Sequence, residues 1–177
     1  MLQSRILSST IAKETLLVLG GVLLIALFSQ ISIPLKPVPV TLQTVGVLLI
    51  GLTYAPRPAL MSMLTYLGLG AMGLPIFANM SAGAHLLVGP TAGFLAAFPV
   101  VAYGVAWLRE RFNVSSKWGL LGLCVLGQAT FFVFGVSWLS HLIGFMPAIM
   151  GGFMPFILPG IAKAILTAAI ASYLHKR

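Results

Sequence analysis

The sequence predicts an all-α integral membrane protein, a single domain over residues 1–177 built from six transmembrane helices. Three observations predict it. Hydrophobic residues make up 59% of the chain and charged residues only 7%, whereas a soluble domain carries about 25% charged residues to keep its surface wet. Proline and glycine breakers divide the chain into six apolar segments, and a helical span takes about 20 apolar residues. The basic residues, finally, are concentrated in alternate connections between those segments, as they are in multi-pass proteins.

The first segment runs from Thr15 to Ile33 and is closed by the Pro34–Pro39 cluster. Ahead of it, Met1–Ile11 carries Arg5 and several hydroxyls without a small-residue cleavage site, so a retained helix is expected rather than a removed signal. The second segment, Thr41 to Tyr54, is short and stops at Ala55-Pro56-Arg57-Pro58. The third covers Ala59 to Phe77, the fourth Pro90 to Leu108, the fifth Trp118 to Ile143 and the sixth Pro155 to Leu174. Two connections, Ala78–Gly89 and Gly144–Met154, are Gly-rich and nearly uncharged. Such connections are expected to fold back toward the membrane and cover something.

With the amino terminus inside, Arg5, Lys13, Arg57, Arg109, Arg111, Lys117, Lys176 and Arg177 all fall on the cytoplasmic side, and the outer connections hold only Lys36. This asymmetry predicts both termini in the cytoplasm. The remaining basic residue, Lys163, falls inside the sixth segment.

Composition also excludes functions. A pI near 10.3 suggests nucleic acid in a soluble protein, but ten basic groups spread over an oily chain form no phosphate-tracking face. One cysteine, Cys124, allows no intramolecular disulfide and no cysteine-based metal cluster. Aspartate is absent, and the two acids are Glu14 and Glu110, which removes Asp-based proton relays and Ser–His–Asp triads. The chain has no Gly-x-x-x-x-Gly-Lys-Ser/Thr loop for ATP. No cofactor or metal is expected.

Lys163, in Leu158-Pro-Gly-Ile-Ala-Lys-Ala-Ile-Leu, is the residue that needs a reason, because an ionised group within a span costs several kcal/mol unless it is paired or wet. It either snorkels to the interface or faces a water-accessible cavity, where the missing counter-charge arrives with an anionic ligand. On the same segment Gly160, Ala164, Ala168 and Ser172 form a small-residue stripe suited to close helix packing. The connection after the third segment offers Asn79, Ser81, His85 and Thr91, short polar groups suited to a neutral substrate head. Gln30, Gln43 and Gln128 read first as interhelical hydrogen-bonders, with Gln43 singled out because it opens the second segment near the outer face. Phe77, Phe94 and Trp138 could wall a pocket, while His85 and His141 read as ordinary loop and helix-end histidines.

Three motifs in order, Pro39-Val-Thr-Leu-Gln-Thr-Val-Gly-Val-Leu-Leu, Tyr66-Leu-Gly-Leu-Gly-Ala-Met-Gly-Leu-Pro-Ile-Phe-Ala and Gly89-Pro-Thr-Ala-Gly-Phe, resemble the BioY family. Its members are substrate-binding S components of energy-coupling factor (ECF) biotin transporters, and the resemblance runs from about Pro34 to Lys163. It implies an S-component bundle with a loop-covered biotin pocket near the outer face, a transmembrane coupling subunit and two ATPase subunits as partners, and high-affinity biotin uptake. Asn79 falls where the family's third-span loop lines the pocket. Lys163 matches the lysine of a motif that often reads Asp-x-x-Lys, whose first position here is Gly160. The family's first-span Ala-x-x-x-Ala docking signature is not clear, since the small residues there are Gly20, Gly21, Ala26 and Ser29. Biotin joins a carboxylate, a neutral ureido ring and an apolar bicycle. Lys163 is therefore assigned the charge-assisted contact, with Asn79, Ser81 and Gln43 as candidate ureido partners and Phe77 as apolar wall.

Two other functions compete. One is a solitary secondary transporter of biotin or another anionic vitamin, although no acid within a span is available to carry a coupling proton. The other is an intramembrane serine hydrolase using Ser81 and His141. That arrangement resembles the rhomboid pattern only faintly, because Asn79 stands where the pattern has glycine.

Overall fold

The computed structural model describes residues 2–175, with side chains from residue 11 onward. Lys176 and Arg177 and the side chain of Arg5, three of the expected cytoplasmic markers, lie outside the described set.

Among the described residues are seven α-helices and one small β-ribbon: α1 Leu2–Gln30, β1 Ser32–Ile33, β2 Val40–Thr41, α2 Gln43–Thr53, α3 Pro56–Ala71, α4 Ala92–Arg111, α5 Lys117–Ile143, α6 Phe145–Gly152 and α7 Ile157–Leu174. β1 and β2 pair antiparallel, Ser32 with Thr41 and Ile33 with Val40. Local chemistry sets the boundaries. Pro56 stands in the first turn of α3, where its missing N–H costs nothing, and α2 ends three residues earlier, at Thr53. Ser116 caps α5 by accepting from the Gly119 N–H at 3.1 Å. Gly144, at φ 88°, turns the chain out of α5 and into α6.

Four stretches are long and apolar enough to cross a membrane: Ile11–Gln30, Ala92–Arg111, Lys117–Ile143 and Phe145–Leu174. The helix α2, with 11 residues, and α3, with 16, are shorter. The expected loop Gly144–Met154 contains α6. Its apolar residues Phe145, Met146 and Met150 face outward while Ala148 and Gly152 are buried, so a run without charges forms a short helix lying on the bundle.

In space the long helices form a ring ordered α1, α3, α4, α5, α7, α2, closed by α2 on α1, and α2 also crosses to α4. Leu48, Ile50, Leu52, Val101, Val105, Leu120 and Cys124 fill the middle. The outward faces are as oily as the interior, with Leu16, Leu23, Leu27, Val133, Ile161 and Ile165 exposed, as expected for helices solvated by lipid. The small-residue row of α7 packs inward, with Gly160, Ala164 and Ala168 buried. Gly21 of α1 does the same, since a Cβ there would come within 2.5 Å of Ser62 Oγ.

Candidate binding site

The bundle has two unlike ends. The end carrying the C-termini of α2, α4 and α7 holds Arg57, Arg109, Arg111, Lys117 and His175. The other end, where α2, α4 and α7 begin, encloses a cavity of about 290 Å³, at the small end of the range of ligand pockets, roughly 300–1,000 Å³. Three connections roof it: Val38 and Pro39 from the ribbon, the Phe77–Ser81 segment with Leu86 and Thr91 from the α3–α4 connection, and Phe156 before α7. Beneath the ribbon, Val38, Val40, Leu139, Ala148 and Phe156 form a second apolar cluster that seats it on α5 and α6.

The walls are mainly aromatic, from Phe77, Phe94, Phe98, Phe131 and Phe132. Two glycines make room for them. A Cβ at Gly70 would run into the Phe77 ring, and one at Gly135 into the Phe94 ring, so each ring lies directly on the backbone of a neighbouring helix. Tyr66, fully buried, meets Phe77 edge to face at 5.4 Å and stacks at 6.4 Å on Phe98.

All five expected site residues, Lys163, Asn79, Ser81, Gln43 and Phe77, line this one cavity. Lys163 is 8% exposed and points inward from α7, so it does not snorkel. Its Nζ donates to the Thr41 carbonyl at 2.6 Å. Among the described residues the one ion pair is Arg109–Glu110, at the opposite end, so no carboxylate answers this lysine. Gly160, one turn earlier, also lines the cavity and adds no side chain.

The neutral polar groups divide by how fully the protein already uses them. Gln43 donates from Nε2 to the Tyr66 hydroxyl at 2.7 Å and accepts from Thr41 Oγ1 at 2.9 Å, while Tyr66 donates to the Ile76 carbonyl at 3.0 Å. Gln43 is therefore chiefly a strut between α2 and α3. Ser81 spends its hydrogen on the Ala78 carbonyl at 2.6 Å and keeps acceptor capacity. Asn79 sits at the exposed rim in the left-handed region, φ 57°, followed by Met80 at φ 56°. Its Oδ1 accepts from Ser32 Oγ at 2.7 Å, which leaves the amide nitrogen free to donate.

Gln30 holds that strained rim. It donates to the Phe77 carbonyl at 3.2 Å and accepts from the Met80 N–H at 2.9 Å, so it joins a helix to a loop and not, as expected, a helix to a helix. Two cavity-lining atoms have no hydrogen-bond partner although buried, Thr44 Oγ1 and Gln128 Nε2. Sequence reasoning passed over Thr44 and read Gln128 as an interhelical hydrogen-bonder. A polar group deep in a span was the available signal, but only the fold separates a satisfied amide from an open one.

Other expectations are corrected. Trp138 is not part of the wall. It lies in an outer groove with His141, and its Nε1 donates to the Gly89 carbonyl at 2.9 Å, tying the roof to α5 from outside. His141 beside Trp138 and Ser81 at the cavity lie in different places, so a serine–histidine dyad is not assembled. His85 does not line the cavity.

The model of the BioY family matches residues 3–177. The chain belongs to the BioY family. Among similar proteins, the "Probable biotin transporter BioY" of Pyrococcus horikoshii is 40% identical over 165 residues, covering 92% of this chain and 96% of that one. The protein of the same name from Rickettsia prowazekii is 34% identical, covering 94% and 86%. The "Biotin transporter BioY" of Thermotoga maritima is 38% identical, covering 86% and 90%. In fold, the chain is similar to a crystal structure of the S-component for biotin from an ECF-type ABC transporter, with a TM-score of 0.86, 24% identity and coverage of 96% and 94%. The S-component bundle expected from the sequence is thus the observed fold, with the short α6 added to the six helices of the ring.

Proposed function

We propose that this chain is the biotin-binding S component of an ECF-type transporter and takes up biotin across the bacterial cytoplasmic membrane. The observation that carries the reading is Lys163, a buried cation in an aromatic cavity with only a backbone carbonyl as hydrogen-bond partner. A buried cation without a counter-charge is costly, and an anionic ligand removes that cost. Biotin fits the remaining lining, an apolar bicycle against the phenylalanines and a ureido ring against the neutral polar groups. That the family relatives are named biotin transporters supports the same ligand.

In this reading Lys163 makes the charge-assisted contact, Asn79 donates from the rim, Ser81 accepts, and Gln43 holds the second helix in place while offering its remaining hydrogen. Phe77 forms the apolar wall. The cavity opens outward, and the end bearing Arg57, Arg109, Arg111 and Lys117 faces the cytoplasm with both termini, following the positive-inside rule. The coupling subunit and two ATPase subunits supply the energy, since the chain has no phosphate-binding loop of its own.

Two assays test this. Purified protein is titrated with biotin, desthiobiotin and biotin amide. Biotin and desthiobiotin are expected to bind tightly, and weaker binding of the amide assigns the carboxylate to Lys163. Uptake of labelled biotin is then measured with and without co-produced coupling subunits. Dependence on those subunits is expected, and equal uptake without them would favour a solitary carrier. Absence of biotin binding by monodisperse protein would refute the reading.

A further inference from the structure

We propose that Gln128 is a specificity-determining residue of the cavity, reading the ureido ring of biotin with both ends of its side-chain amide. The inference rests on the biotin reading above and deepens it. Gln128 lies on the buried face of α5, between Gly127, which packs on Leu48, and the cavity ring Phe131. The side chain is 8% exposed, lines the cavity, and its Nε2 is buried without a hydrogen-bond partner. Leaving a donor unpaired in such a place costs a desolvation penalty that folding alone does not return. The other deep amide of the bundle, Gln43, is bonded at both ends, so an open amide is not the rule in this interior.

The chemistry of the group selects the partner. A carboxamide presents one donor and one acceptor in a plane, the complement of an N–H beside a C=O in a cyclic urea. Two parallel hydrogen bonds therefore join them, a match that a hydroxyl such as Thr44 cannot offer alone. Gly160 and Phe132 line the cavity beside this amide. An ideal Cβ at Gly160 would lie 3.9 Å from Gln128 Oε1 and 3.6 Å from the Phe132 ring. Gly160 thus borders the amide and the Phe132 ring on the cavity wall. Gly160 and Lys163 are neighbours on the buried face of α7, so ligand held by the amide is within the reach of the ammonium.

The test compares Gln128→Leu and Gln128→Glu with the wild type in detergent, titrating each with biotin and with 2-iminobiotin, whose ring carries a guanidinium at neutral pH. Gln128→Leu is expected to weaken biotin about tenfold or more, while the ligand-free protein melts no lower than the wild type because an unpaired buried amide has been removed. Gln128→Glu is expected to narrow the preference for biotin over 2-iminobiotin by about tenfold, as a carboxylate accepts from a guanidinium and not from a urea oxygen. Biotin affinity of Gln128→Leu within twofold of the wild type would overturn the proposal. So would a loss of affinity accompanied by a lower melting temperature, or an unchanged ligand preference in Gln128→Glu. Failure of the wild type itself to bind biotin would be a different result and would refute the reading on which the proposal stands.

Discussion

Two basic side chains at opposite ends of the bundle, half-buried Arg109 and buried Lys163, show how structural and ligand-facing charges differ. Arg109, at the basic end, donates to the Leu52 carbonyl at 2.8 Å and the Tyr54 carbonyl at 3.2 Å, and it pairs with Glu110 at 3.3 Å. It thereby caps the C-terminus of α2, whose last carbonyls would otherwise be orphaned. Lys163 has one carbonyl partner and no carboxylate. The same contrast separates the glutamines, Gln30 and Gln43 being built into the frame and Gln128 left open. Positive charge is common to the first pair and residue type to the second. Between the glutamines, the one left incompletely paired is the one whose open amide borders the cavity.

The contrast breaks if variants at the basic end alter binding, or if variants of the open groups alter folding. Arg109→Ala should produce the largest loss of stability, about 2–3 kcal/mol from charged hydrogen bonds to helix-terminal carbonyls, with the biotin Kd of the folded fraction within about twofold of the wild type. Unfolding is read with a thiol-reactive dye, because the protein's one cysteine, Cys124, is fully buried. Tyr66→Phe should cost about 1–2 kcal/mol, since it leaves Gln43 Nε2 without its acceptor and frees the Ile76 carbonyl from that donor. The same thermal scan checks this variant, and biotin affinity should fall several-fold because Gln43 and the roof lose their common strut.

Gln30→Leu should change stability less, by about 1 kcal/mol, but releases Phe77 and Met80 at the rim. Its signature is faster biotin dissociation in a chase experiment, with little change in melting temperature. A large loss of stability with unaltered dissociation would place Gln30 on the structural side of the comparison.

The sequence carried the architecture further than the pairing. The apolar segments, the proline stops at Pro34–Pro39 and Pro56, and the isolation of Lys163 were legible because hydropathy and helix breakers are local properties. The helix α6 was not, because uncharged Phe145-Met-Pro-Ala-Ile-Met-Gly-Gly reads equally as a loop until it has α5 to lie on. Gln43 and Gln128 look alike in one dimension. Their difference depends on Tyr66 reaching Gln43 from α3, a tertiary contact with no counterpart at Gln128 Nε2. Trp138 was misjudged for the same reason, since its ring lies on the outer side of α5.

The central claim is that Lys163 is held in the cavity for an anionic ligand and not for the fold. The direct test is the biotin affinity of purified Lys163→Ala beside that of the wild type. Removing one partner of a buried charge contact costs about 2–5 kcal/mol, so a loss of roughly 30-fold or more is expected, with the ligand-free variant at least as stable as the wild type. Biotin bound by Lys163→Ala within twofold of the wild-type affinity would contradict the account.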